Sequence, residues 1–275
     1  MKRAVLLVAL LLAACSESKT SGWLGYAEGD TVLVAPPKGG WITSVPVAQG
    51  ATVHEGDVLF TLDADDQTAA RSNAVASIAV ANAAEAKAVA DITRTQKELA
   101  RQRSLAKIGG TSTSSVEQAE SSYRSALASR DSAVAQRNAG EATLAQSEYG
   151  LSERNVRARV SGQVQDIYFR QGEYANAGTP VIELLPKSNI YVRFFVPEEE
   201  LQSVALNKPV HIGCDGCPPN LQAKVSFIAS EAEYTPPVIY SVTNRKKLVF
   251  KVEARAPDGL ELRPGLPINV TLAQP

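Results

Sequence analysis

The chain has 275 residues, with 28 Lys and Arg against 29 Asp and Glu, and a formal net charge of −1. That balance offers no electrostatic reason to expect a nucleic-acid partner, and a chain of this length holds two or three small domains. Only 6% of the residues are aromatic, which argues against one large core. Alanine and serine crowd the middle third while valine, proline and glycine crowd both flanks, so the composition reads β, then α, then β.

Lys2 and Arg3 precede an apolar run from Ala4 to Ala14 that is too short for an ordinary membrane-spanning helix. The run ends at Leu12-Ala13-Ala14-Cys15, which resembles a bacterial lipoprotein signal. That resemblance implies cleavage before Cys15 and acylation of its thiol, and so an exported chain tethered to a membrane by lipid. A plain secretory signal with an incidental cysteine is the other reading. Ser16 leaves open which membrane holds the anchor, with the outer leaflet of the inner membrane expected and the outer membrane not excluded.

The most informative feature is an internal repeat. Residues Gly40 to Leu62 align without a gap on Gly162 to Leu184, at a constant offset of 122 positions (Gly162 against Gly40). Gly50 meets Gly172, Gly56 meets Gly178, Leu59 meets Val181 and Leu62 meets Leu184, and Val34 and Val156 extend the match upstream. Alternating apolar residues mark short half-buried strands, and glycines at fixed offsets mark turns that need positive φ. Each copy is expected to be half of one small β-sandwich. The pattern resembles the lipoyl/biotinyl half-motif, whose carrier form holds a modifiable lysine on the hairpin after the first half. Here Leu62 is followed by Asp63-Ala64-Asp65-Asp66, and no lysine comes before Lys87, so no cofactor is expected.

Between the halves stands an insert without proline, rich in Ala, Glu, Gln, Lys and Arg, whose break is Gly109-Gly110. It reads as two antiparallel helices of some forty residues, each reaching roughly 60 Å. Val116, Tyr123, Arg130, Arg137, Leu144 and Leu151 recur every seven residues, with Ala119, Ala126 and Ala133 between them, as in a coiled-coil seam. Folding the hairpin about its tip brings Arg130 near Asp91; the alternative is that both seam arginines reach out to solvent. Ser114 with Glu117 reads as a capping box opening the second helix.

After the second half, "NIYVRFFVP", "KPVHIG", "AKVSFIA", "KLVFKVEA" and "PINVTL" read as strands of a small β-barrel. The expected fold is therefore α+β and multidomain. A signal peptide (1–14) and a lipid-anchored linker (15–29) precede a first lipoyl-like half (30–63). The helical coiled-coil hairpin (64–155), the second half (156–186) and the barrel (187–275) follow. That order resembles the HlyD-family periplasmic adaptors, also called membrane fusion proteins. Within it, Ala229 to Ala254 looks like adaptors of ABC-type exporters. The resemblance implies no catalysis. Its implied partners are an inner-membrane transporter of ABC type, a TolC-type outer-membrane channel, and further copies of the chain in a six-membered ring. Other readings are an adaptor for an RND or MFS pump, or a stand-alone envelope binding lipoprotein.

Adaptors that dock on TolC-type channels carry Arg, Leu and Ser at the tip in the spacing R-x3-L-x6-S, which Arg101, Leu105 and Ser112 match. On this resemblance Leu105 is an apolar knob, Arg101 a forked donor, and Ser112 a hydrogen-bonding or capping group. Leu105 also fits as a residue that merely closes the seam. No catalytic or metal constellation emerges, since the two histidines, His54 and His211, lie far apart in the chain. Asp63, Asp65 and Asp66 sit where a helix dipole favours them. Cys214 and Cys217 form a C-x-x-C; it lacks a thioredoxin-type helix after it, and a small structural disulfide is expected in an oxidising compartment.

Overall fold

The computed structural model describes residues 22–234 and 248–273; Cys15 and the expected signal peptide lie outside the described residues. The strands of the first half are β2 (Val32–Val34), β3 (Gly40–Ser44), β4 (Thr52–Val53) and β5 (Val58–Leu62). Those of the second are β6 (Asn155–Arg157), β7 (Gly162–Ile167), β8 (Tyr174–Ala175) and β9 (Ile182–Leu185). They pair into two four-stranded sheets, ordered β2-β9-β7-β4 and β6-β5-β3-β8. Each sheet takes two strands from each half, so neither half closes a sheet alone.

The repeat is visible in the bonding. Gly50 N–H donates to Val164 O at 2.8 Å, and its counterpart Gly172 N–H donates to Ile42 O at 2.8 Å. Gly50 and Gly172 have φ of 83° and 89°, the left-handed region that glycine enters without a Cβ penalty. The core repeats as well: Ile42 and Val164, Leu59 and Val181, Phe60 and Ile182, Leu62 and Leu184 are buried in one cluster.

The insert is a helical hairpin of α1 (Asp65–Lys107) and α2 (Thr113–Ser152). Its base is stitched to β3 from both sides. Asp63 N–H donates to Trp41 O at 2.9 Å, Asp63 Oδ1 accepts Trp41 N–H at 2.7 Å, and the Arg154 guanidinium donates to Gly39 O at 2.9 Å. A side chain at Gly40 would collide with Asp63 Oδ1 and Arg154 Nη1, so this glycine lets the two ends of the hairpin meet over the sheet.

The barrel contains β1 (Trp23–Gly29), β10 (Ile190–Pro197), β11 (Pro209–Gly213), β12 (Leu221–Tyr234), β13 (Leu248–Arg255) and β14 (Pro267–Leu272). It closes in the order β1-β10-β13-β12-β11-β14. Membership of β1 corrects the linker expected over 15–29. Trp23 and Ala27 point into the barrel core. On the outer face Arg193 ties Glu28 at 2.6 Å to Glu253 at 2.9 Å, joining β1, β10 and β13. Gly25 packs where a Cβ would lie 2.1 Å from Arg193 O. Two glycines and an alanine in seven residues mask the strand from propensity, yet this close approach requires the small residue at position 25.

Candidate functional site

At roughly 1.5 Å per residue, the 43 residues of α1 carry its end some 65 Å along the helix axis. The interface that holds this span together is made of small side chains. The buried residues of α1 are Ala74, Ala81, Ala88, Thr95 and Leu99, and those of α2 are Ala119, Ala126, Ala133 and Gly150. Val116, Tyr123, Leu144 and Leu151, expected on the seam, are half-buried along its flank. Seven-residue spacing is therefore present on both helices, with alanine at the fully buried positions. Gly140 belongs to the same close packing, since a Cβ there would lie 2.9 Å from Ile78 Cγ1.

Two electrostatic expectations are corrected. Arg130 is exposed and pairs with its neighbour Asp131, while Asp91 pairs with Arg94. The seam arginine that makes a charge contact across the helices is instead Arg137, to Glu85 at 3.3 Å, with Arg71 to Glu148 at 3.2 Å nearer the base and Arg103 to Glu120 at 3.7 Å nearer the tip. The difference follows from register: Arg137, seven residues nearer the base, is half-buried on the side where Glu85 of α1 lies, whereas Arg130 turns to water. The cap of α2 falls two residues before the expected Ser114 box, on Ser112, the other capping group the sequence offers. Ser112 is the N-cap, its Oγ accepting Ser115 N–H at 3.2 Å, which satisfies one of the helix's free donors.

The structure brings Arg101, Leu105 and Ser112 together at the hairpin's far end. Arg101 is exposed and its guanidinium donates to Glu98. Glu98 also accepts from the Gln102 amide at 2.8 Å; that bond first, and then the Arg101 charge, hold the Glu98 carboxyl below its ordinary value. Leu105 is half-buried, and its carbonyl accepts Ile108 N–H at 3.1 Å and Gly110 N–H at 2.9 Å. Gly109, at φ 72°, reverses the chain. The Thr111 hydroxyl donates to Gln102 Oε1 at 2.9 Å, tying the turn back to α1. Beside the tip an open polar groove of about 540 Å³ runs between Glu98 and Gln102 on one helix and Ser115, Gln118 and Ser122 on the other. The residue that sequence reading passed over is Ile108, 80% exposed at the end of α1. Its signal was available as an apolar side chain placed immediately before Gly-Gly.

Elsewhere, Cys214 and Cys217 face one another across a turn at the mouth of β11, with Cα atoms 5.3 Å apart, a separation that suits a disulfide. His54 is exposed beside Asp57, and His211 lies half-buried in β11. Among the described residues no three His, Cys, Asp or Glu side chains gather as a metal site requires, and no helix is long and apolar enough to cross a membrane.

The fold is that of the membrane fusion proteins, with the HlyD-type order of split sandwich, inserted hairpin and barrel that the repeat resembles. MacA from Actinobacillus actinomycetemcomitans superposes with a TM-score of 0.67 at 20% identity, over 90% of this chain and 76% of that one. The membrane fusion protein Spr0693 from Streptococcus pneumoniae R6 follows with 0.51 at 17% identity, over 92% and 98%. By sequence the chain is similar to the uncharacterized protein YdhJ of Escherichia coli K12, at 28% identity over 204 residues, 74% of this chain and 66% of YdhJ. It is 28% identical over 253 residues to the multidrug resistance protein MdtN of the same organism, covering 76% and 74%. It is also 28% identical over 225 residues to the fatty acid resistance protein FarA of Neisseria gonorrhoeae, covering 69% and 57%. The chain thus spans less than two thirds of the length of YdhJ and of FarA. No family model matches it.

Proposed function

We propose that this chain is a periplasmic adaptor of an export or efflux system, linking an inner-membrane transporter of ABC type to a TolC-type outer-membrane channel. It catalyses nothing; it seals a conduit and passes on the conformational state of the pump. The observation that carries this reading is the hairpin: a projection of roughly 65 Å, stitched rigidly at its base, that delivers Arg101, Leu105 and Ser112 to its far end. A core does not need such a length, whereas a reach between membranes does. MdtN is a multidrug resistance protein and FarA a fatty acid resistance protein, which agrees with export as the outcome.

In this reading Cys15 carries lipid and holds the chain to the outer leaflet of the inner membrane. Cys214 and Cys217 are closed as a disulfide in the oxidising periplasm. Six copies form a ring, and the Arg101, Leu105 and Ser112 tips intermesh with the helical ends of the channel. A photo-reactive side chain at position 105 in living cells tests the assignment, because it places a cross-linker where the channel docks. Cross-links to an outer-membrane channel, together with loss of labelled fatty acid in Cys15→Ser, are the expected result. A chain that stays monomeric and captures neither pump nor channel would be a stand-alone envelope protein.

A further inference from the structure

We propose that, beside the Arg-Leu-Ser pattern, the tip engages its partner through Ile108 and Lys107, as an apolar knob in a basic rim, and that the partner offers an apolar socket bordered by carboxylates. The inference rests on the docking reading above and names its contact residues. Each residue of the Arg-Leu-Ser pattern already has work inside the hairpin. Arg101 holds Glu98, the Leu105 side chain is half-buried, and Ser112 caps α2. The Ile108 side chain has no such task; of this residue the N–H alone serves the turn, donating to Leu105 O at 3.1 Å. It caps α1 at φ −108° and ψ 9°, a conformation open to polar residues, and the reversal of the chain falls on Gly109. Nothing in folding calls for an isoleucine there. It is nevertheless the most exposed large apolar side chain among the described residues, at 80%.

Charge specifies the socket. Between Leu99 and Val116 the chain has Arg101, Arg103 and Lys107 and no Asp or Glu. Glu98 and Glu120 answer the two arginines from either side, while Lys107 makes no ion pair among the described residues. A second copy's tip carries the same positive surplus and is repelled. A lipid surface is disfavoured by area, because even a myristoyl chain holds a protein to a bilayer only marginally. A fitted protein pocket, engaged by several tips at once, needs only one such knob per copy.

The test uses the full-length acylated chain and a detergent-solubilised TolC-type channel from the same bacterium, immobilised for binding measurements. Ile108→Asp is expected to weaken binding about thirtyfold. Lys107→Glu should slow association and flatten its salt dependence. Ile108→Leu should bind within about threefold of the parent. None of the three should shift the melting temperature, since the side chains are exposed. Parent-like binding by Ile108→Asp, or loss of binding to phosphatidylglycerol vesicles alone, overturns the inference and leaves channel docking standing. No binding by the unmodified chain overturns the docking reading, and this inference with it.

Discussion

In the sandwich, Phe60, Leu59, Ile42, Ile182 and Leu184 are fully enclosed; in the hairpin that interrupts it, the enclosed positions of α2 are three alanines and a glycine. The two regions are covalently continuous and share the stitches at Asp63 and Arg154, but they are stable for different reasons. Burying a Leu or Phe side chain is worth about 1.5–3 kcal/mol, and a buried alanine contributes a fraction of that. The hairpin therefore gains less per residue and depends on backbones that approach closely, on helix propensity, and on its anchored base. This division suits a part that is long and slender, as the adaptor role proposed above requires. The β domains hold the molecule together; the hairpin reaches out from them.

The comparison can be broken most severely by removing one side of it. Deleting residues 67–151 and closing the gap with a short turn should leave a folded β-protein, because the two halves pair with each other and not with the helices. On the proposed adaptor function, export should disappear altogether. A deletion variant with no cooperative melting transition would show that the sandwich needs the hairpin to fold. Next in size, Phe194→Ala in the barrel core should cost about 3–5 kcal/mol in denaturant titrations, since Phe194 is fully buried and stacks on Trp23 at 5.6 Å.

A hairpin substitution should act locally. Ala126→Leu inserts bulk where the helices touch and should cost about 1–3 kcal/mol. Hydrogen exchange should speed up in α1 and α2 while protection of β7 and β10 is unchanged. If the sandwich amides lost protection equally, hairpin and sandwich would be one cooperative unit. The smallest effect concerns Glu98. Its carboxyl pKa is lowered in the folded tip by the Gln102 amide and then by Arg101, so its contribution is fully present above the unfolded pKa and is lost as pH falls through the folded one. Acidification through that window should loosen the Glu98 and Arg101 contact slightly, because the group is exposed. NMR titration should show the step at the Arg101 side chain in the parent protein, and Glu98→Gln should abolish it.

Legibility differed sharply between features. The repeat was readable because both of its signals are local: alternation along a strand, and glycine where φ must be positive, as at Gly50 and Gly172. The hairpin was equally readable, through the absence of proline and the break at Gly109 and Gly110. At the tip, the spacing of Arg101, Leu105 and Ser112 was legible as lying at the hairpin's end, but the contacts each residue makes there were not. Ser112 and Ser114 both stood open as the cap, and the choice of Ser112, like the part of the Leu105 carbonyl in the turn, depends on where the chain reverses to within two residues.

Sequence alone determined the order of the parts, the pairing of two half-sandwiches, the length of the projection and the position of its end, since each follows from periodicity, propensity and chain geometry. Tertiary structure decided which strand completes the barrel, which seam arginine crosses between the helices, and which tip side chain is left exposed. Trp23–Gly29 becomes β1 because β10 and β14, more than 160 residues away in the chain, lie on either side of it. Arg137 meets Glu85, and Arg130 does not meet Asp91, because helix register is set by the whole alanine interface. The Ile108 side chain stands exposed because the turn uses only its N–H, given to Leu105 O, while Gly110 and Thr111 supply the remaining bonds. These are non-local outcomes, fixed by which surfaces meet once the chain is folded.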